Sequence, residues 1–276
     1  MHEVERNVIY GMYSGLALLM DVYRPEKPNG IGLIHICGSG WAAPLSLDAR
    51  PLKESEHVKL EGIPLVEAGY TLFTINHRAT PRFHFPDAVH DAQRAVRFVR
   101  HHASDYNVAS DRLGAIGGSS GGHLVCMLGL YPGDGDTETD SQIDGLSAKV
   151  QAVVARAPAV DFLSYRPGGF FPFLNVSTSP EANVGTPENK IARAASPIHQ
   201  IDKATCPFLV FHGDADSTIP FEASERFVKA LRGSGTEVDF IPVPNADHGP
   251  ALPGAPDDFA MVNHSRPFLD RHLLRQ

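Results

Sequence analysis

Between Leu113 and Leu128 the chain passes from a short apolar run, through a glycine-rich turn, into apolar residues at helical spacing. No other stretch restricts the fold as tightly. Leu113 to Ile116 reads as a buried strand, and Leu124, Val125, Met127 and Leu128 carry a helical repeat. Between them, Gly117-Gly-Ser-Ser-Gly-Gly122 satisfies G-x-S-x-G in two frames. Strand, tight turn and helix form the setting in which that pattern presents a serine as a nucleophile. Glycines flank such a serine because its backbone is strained and neighbouring Cβ atoms would collide. The reversal falls just after Gly117-Gly118, which favours Ser119 as the nucleophile, with Ser120 as the other frame. Ser120 then opens the helix with its N–H free to stabilise an oxyanion. A phosphate-cradling loop suits the stretch poorly, since both the Lys-Ser/Thr of a P-loop and the G-x-G-x-x-G spacing are absent.

The rest of the chain alternates strands and helices around this turn. Residues 4–10 and 17–23 read as an antiparallel hairpin at a sheet edge, joined through Gly11-Met-Tyr-Ser-Gly15. Ile31–Cys37 is a nearly continuous apolar run, as in strands covered on both faces. A helix near 57–68, a strand at 70–75 and an amphipathic helix follow. That helix has a buried stripe of Ala88, Val89, Ala92, Ala95, Val96 and Val99, with Arg94, Arg97 and Arg100 on its expected wet face. Beyond the glycine turn come strands at 150–155, 207–212 and 237–243, a helix from 221 to 232, and a C-terminal helix expected to break or kink near Pro267. The pattern predicts an α/β fold, a doubly wound and mostly parallel sheet in a single domain over 1–276. The stretch from Asp161 to Thr205 lacks long periodic runs, and within it 162–197 reads as a small lid-like insertion.

Composition narrows the partners. At 276 residues with 42% hydrophobic and 20% charged side chains, the chain matches a globular protein with a substantial core. A net charge of −8 argues against nucleic acid or an anionic membrane surface. The cysteines at 37, 126 and 206 are odd in number, widely spaced and set in or beside apolar runs, so they read as small buried hydrophobes. No run reaches membrane-span length, and a cytoplasmic location is expected, or a secreted one if a signal peptide was removed. The acids of Asp134–Asp140 lack the glycine and closing Glu of a calcium loop, so no metal is expected. A homodimer is left open.

A serine nucleophile needs a base, and the base needs an orienting carboxylate. In this type of fold both follow the serine, from loops at later strand ends. His248, a short loop beyond the strand at 237–243, is the expected base. His123 reads as packing or hydrogen bonding beneath the turn, and His212 as a brace for its loop. Asp214 and Asp216 share one loop and Asp161 ends an earlier strand, so the residues alone leave the acid open. The glycine-rich loop Cys37-Gly-Ser-Gly-Trp41 lies at a strand end and offers the N–H groups of Gly38 and Ser39 for an oxyanion, beside that of Ser120.

These motifs in this order resemble α/β-hydrolase esterases of the hormone-sensitive-lipase-like and bacterial feruloyl-esterase-like group. The resemblance rests on Asp21-Val-Tyr-Arg-Pro25, Gly38-Ser-Gly-Trp41, Gly69-Tyr70, His77-Arg78, Gly117–His123, His212-Gly-Asp-Ala-Asp216 and Asp247-His-Gly249. It implies an α/β-hydrolase fold with Ser119 as nucleophile, Asp216 as acid and His248 as base. Gly38, Ser39 and Ser120 would be the oxyanion donors. The implied activity is serine carboxylic-ester hydrolysis of a small-molecule ester, short-chain or aryl, such as acetyl or feruloyl esters of plant polysaccharide, with no cofactor. The chain departs from the family's His-Gly-Gly-Gly at Cys37 and Ser39. Trp41, Phe170, Phe171 and Phe173 are expected to line the substrate mouth, with a small lid core as the equal alternative for the phenylalanines. An amidase, formamidase or oligopeptidase-like hydrolase on the same residues is the competing reading, and a non-catalytic receptor a more distant one.

Overall fold

The computed structural model describes residues 2–131, 133–136, 141–164, 172–176, 185–201 and 206–274. One sheet of eight strands runs through them. In chain order they are β1 (His2–Tyr13), β2 (Leu16–Pro25), β3 (Gly32–Ile36), β4 (Thr71–Ile75), β5 (Leu113–Gly118), β6 (Ala152–Arg156), β7 (Phe208–Gly213) and β8 (Val238–Val243). The spatial order is β1-β2-β4-β3-β5-β6-β7-β8. β1 and β2 form the expected antiparallel hairpin at the edge, β2 pairs antiparallel with β4, and every later pairing is parallel. Strands β3 to β7 are buried along their whole length, the physical reason for their nearly continuous apolar runs.

Helices cover both faces. α2 (Asp87–His101), α3 (Ser120–Leu130) and α5 (Phe221–Gly233) contribute to one apolar layer through Val89, Val96, Leu124 and Phe227. α1 (Ile63–Glu67) and α6 (Val262–Leu273) pack on the other through Leu65, Val66, Phe268 and Leu269. α4 (Pro187–Ala195) lies in the irregular region, where the Thr186 Oγ1 caps it by accepting from the Asn189 N–H at 3.2 Å.

Two expectations are corrected. The arginines of α2 do not face open water: Arg94, Arg97 and Arg100 donate to the carbonyls of Tyr10, Leu146 and Ser147 at 3.0, 2.8 and 2.8 Å. Guanidinium forks satisfy backbone that would otherwise be stranded beside the helix. Of the break or kink expected near Pro267, the break does not occur, since α6 runs across it. Of the acidic loop, residues 137–140 lie outside the described residues.

The crossovers place the site. After β3 the chain moves outward to β4, then returns to place β5 on the other side of β3. That reversal opens a crevice at the carboxyl ends of β3 and β5, where open α/β sheets bind ligands. The loop of Gly38–Trp41 leaves β3 there, and Ser119 leaves β5.

Candidate active site

Ser119 stands between β5 and α3 with φ 55° and ψ −124°. For a residue with a Cβ this is strained, and the surroundings hold it: its N–H donates to the Arg156 carbonyl at 2.8 Å. A Cβ at Gly121 would lie 1.9 Å from the Ile36 carbonyl oxygen, so only glycine lets α3 approach β3 this closely.

The Ser119 Oγ lies 3.0 Å from His248 Nε2, and His248 Nδ1 lies 2.7 Å from Asp216 Oδ2. With the imidazole proton on Nδ1, the ring donates to Asp216 and accepts from the serine. His248 reaches across from the loop after β8, and Asp216 from the loop after β7. Asp216 is pinned on its other oxygen, where Oδ1 accepts from the N–H groups of Thr218 and Ile219 at 2.8 Å each. Burial alone would raise this carboxyl. Hydrogen bonds from His212, then His248 and the two backbone N–H groups, hold it well below the usual carboxylate range.

The other carboxylates lie elsewhere. Asp214 accepts from the Asn245 N–H at 2.6 Å, a turn contact. Asp161 accepts from the Leu163 N–H at 3.1 Å and lies 3.6 Å from Arg226. His212 braces its loop, with Nε2 donating to the Ile219 carbonyl at 3.0 Å.

Among the oxyanion candidates, Gly38 and Ser120 flank Ser119 from two sides. A Cβ at Gly38 would lie 3.0 Å from the Ser119 Cβ, and Ser120 is the first residue of α3. Ser39 differs from expectation: its N–H already donates to the Ser120 Oγ at 2.8 Å. The bond ties the loop to the helix and engages a donor that the sequence left free.

Trp41 projects from the same loop with φ 57°. Its Nε1–H donates to His123 Nδ1 at 3.1 Å, and His123 Nε2–H donates to the Ala195 carbonyl at 2.8 Å. Burial lowers the His123 pKa to about 4, against the raising effect of that carbonyl, so the ring is neutral. His123 therefore connects α3, the first loop and the end of α4. Phe173 stacks on Trp41 at 4.7 Å and is 3% exposed. Of the two roles expected for Phe173, its place in the core cluster with Phe162 fits the packed core and not the mouth: packing against Trp41 takes its face. Phe170 and Phe171 lie outside the described residues.

Sequence reading passed over a charged cluster under the turn. Arg156 Nε donates to Glu61 Oε1 at 2.6 Å, and Glu61 Oε2 lies 3.1 Å from His57 Nδ1 and 3.4 Å from His35 Nε2. An arginine closing the otherwise apolar Ala152–Arg156 strand was the available signal, because a charge there needs a partner.

A truncated carbohydrate esterase from gut microbiota shares the architecture at a TM-score of 0.79 and 27% identity, covering 99% of this chain and 97% of that one. An acetyl ester-xyloside bifunctional hydrolase from Caldicellulosiruptor lactoaceticus superposes at 0.76 with 21% identity, over 96% and 94% of the two chains, a likeness of fold. The fold is the α/β-hydrolase fold. Esterase LipC of Mycobacterium tuberculosis is 29% identical over 252 residues, which make up 88% of this chain and 59% of LipC. The chain thus spans about three-fifths of that relative's length. A family model described as BD-FAE matches residues 20–231, from β2 into α5, with Ser119 and Asp216 inside the match and His248 beyond it. The chain belongs to that family, an esterase family related to hormone-sensitive lipase and feruloyl esterase.

Proposed function

We propose that this protein is a serine carboxylic-ester hydrolase that works through an acyl-enzyme on short-chain or aryl esters. The observation that carries the reading is the continuous contact from Ser119 Oγ through His248 to Asp216, at 3.0 and 2.7 Å. Ser119 passes its proton to His248 Nε2 as its oxygen bonds to the ester carbonyl carbon. Asp216 stabilises the imidazolium so formed. The N–H groups of Gly38 and Ser120 receive the oxyanion, and Ser39 joins them when the Ser120 hydroxyl turns away. His248 gives that proton to the departing alkoxide, then takes a proton from water as the water oxygen bonds to the acyl carbon, and returns it to Ser119 Oγ as the Ser119–acyl bond breaks and the acid leaves.

Acetyl or feruloyl esters of plant polysaccharide are the substrates we favour, because the carbohydrate esterase named above is similar over almost the whole chain. Trp41, half-buried beside the nucleophile loop, would form part of the wall against which the alkyl or aryl group packs. The stretch 162–197 would act as the lid, with Ala195 tied to the site through His123.

Release of p-nitrophenol from acetate and octanoate esters tests the reading, with Ser119→Ala as the blank. Rapid acetate turnover that vanishes in the variant is expected. Absence of turnover on both esters, with formamides hydrolysed instead, would replace the reading with an amidase.

A further inference from the structure

The Asp216 carboxylate carries a second imidazole. His212, near the end of β7, places Nε2 3.3 Å from Asp216 Oδ2, the oxygen that also accepts from His248. The same Nε2 lies 3.0 Å from the Ile219 carbonyl oxygen. Both neighbours are acceptors, so Nε2 carries a proton and divides it between them. On the far side of the ring, Nδ1 lies 2.6 Å from the Ser224 Oγ. In the neutral ring that nitrogen is a lone pair, and the serine hydroxyl donates to it. His212 and Ser224 are both fully buried, and Phe221 closes the ring's flank edge-on at 5.6 Å. A hydrogen-bonded path therefore runs Ser224, His212, Asp216, His248, Ser119.

We propose that His212 and Ser224 are positioning residues for the ester-hydrolysis reaction. The Ile219 carbonyl and Asp216 set the His212 tautomer that presents N–H to Asp216, and Ser224, donating to Nδ1, holds the ring in place and strengthens that N–H as a donor. That N–H fixes the carboxylate and takes up part of its negative charge, which moderates its hold on the His248 imidazolium. The proposal rests on the ester-hydrolase reading above.

Two physical points carry it. First, Asp216 has both oxygens occupied: Oδ1 by two backbone N–H groups, Oδ2 by two imidazoles. Such a carboxylate cannot rotate out of line with His248. Second, the alternative tautomer of His212 would aim a lone pair at two acceptors in a buried site, so those acceptors fix the proton on Nε2 and the Ser224 hydroxyl completes the ring's pairing by donating to Nδ1. The titratable groups facing this carboxylate are His212 from β7, and His248 and Asp247 from the loop after β8. Asp247 Oδ1 is engaged by the N–H groups of Ser217 and His248 at 2.8 and 2.7 Å.

A carboxylate with one donor fewer is a stronger base and holds the imidazolium more tightly. Neutral His248, the form that accepts the Ser119 proton, then requires a higher pH. The acid limb of the pH profile of kcat/KM reads this directly. It should be recorded with p-nitrophenyl acetate for the wild type, His212→Asn, His212→Gln and Ser224→Ala, with Ser119→Ala as the blank.

Asn is too short to reach Asp216, and the limb should move up by about one pH unit. Ser224→Ala should move it the same way by less. Gln extends an amide N–H toward the Nε2 position and should restore the wild-type limb. A merely structural role predicts lower yield or activity with all limbs in place, and that result would overturn the proposal. If His212→Asn fails to fold, Ser224→Ala removes a single oxygen atom and carries the test. The low-field proton resonance of the His248 Nδ1–H supplies a readout that needs no turnover. It should move downfield in Ser224→Ala, and an unmoved resonance overturns the proposal. Wild-type turnover no greater than that of the Ser119→Ala blank defeats the ester-hydrolase reading instead, while the resonance still judges the His212 contact.

Discussion

Arg156 meets Glu61 directly beneath the turn that carries Ser119: Nε to Oε1 is 2.6 Å, and neither side chain is more than 1% exposed. A Cβ at Gly118 would lie 2.1 Å from Arg156 Nη2 and 2.7 Å from Glu61 Oε1, so the pair forms the floor of the turn. The same arginine's carbonyl accepts the Ser119 N–H at 2.8 Å. One residue thus holds the nucleophile's backbone and anchors a buried charge. Burial would raise the Glu61 carboxyl, but the Arg156 guanidinium, then hydrogen bonds from His35 and His57, hold it well below the ordinary carboxylate range.

Glu61→Gln should therefore cost more than a surface substitution. It leaves Arg156 charged and buried without a counter-charge, a loss of about 3–5 kcal/mol. Urea unfolding at neutral pH measures it. Because the folded-state pKa is depressed, the wild-type contribution is complete above the unfolded value near 4.5 and is lost as pH falls through the folded value. The gap between wild type and variant should be constant from neutral pH down to about 5 and close at lower pH.

Much of this architecture was legible before the structure, and the reason is burial. β3 to β7 are covered on both faces, which demands apolar runs that stand out in the sequence. The turn at Ser119 was legible because close approach at Gly121 demands glycine. The Glu61–Arg156 pair joins positions 95 residues apart, and no local pattern encodes it. The arginines of α2 were assigned to water because amphipathicity names the polar face but not what covers it. Asp216 was separated from Asp214 in part by family resemblance, since side-chain direction within one loop has no periodic signal.

That separation is open to direct test. Asp216→Asn should lower kcat/KM by about 10⁴-fold, because the amide cannot hold the His248 tautomer that accepts from Ser119. Asp214→Asn should keep most of its activity, since Asp214 accepts from the Asn245 N–H and does not touch His248. Steady-state kinetics on p-nitrophenyl acetate distinguish them, and the reverse ranking would reassign the acid.

Gly38 offers a steric test of the first loop. An added Cβ would lie 2.8 Å from the Gly118 carbonyl oxygen, 2.9 Å from His57 Cε1 and 3.0 Å from the Ser119 Cβ. Backbone on one side cannot give way, so the loop or the nucleophile must shift. Displacement by even 1 Å costs about 10²-fold in turnover. Gly38→Ala should thus lower kcat by about that factor. Its thermal unfolding midpoint should change little, because the strain is confined to the loop. A variant with wild-type kcat would show that the loop relaxes freely.

His123 makes the stability of the link between Trp41 and Ala195 depend on pH. Its folded pKa of about 4 lies below the ordinary 6.5, with burial as the main cause, opposed by the Ala195 carbonyl and aided by His77. The neutral ring is the one that accepts from Trp41 and donates to Ala195. Above pH 6.5 neither folded nor unfolded chain protonates it, and the group adds no pH dependence. Between 6.5 and about 4 the unfolded chain takes up the proton and the folded chain does not, so stability falls as pH falls. The loss from this group approaches about 3 kcal/mol and levels off below pH 4. His123→Gln removes the titration while keeping one hydrogen-bonding end. Its stability should start lower at pH 7, because Trp41 and Ala195 cannot both be served as well. It should then decline less steeply to pH 4 than that of the wild type. Parallel declines in urea melts across that range would mean that His123 is protonated in the folded protein, and that its link between Trp41 and α4 is already broken at mild acidity.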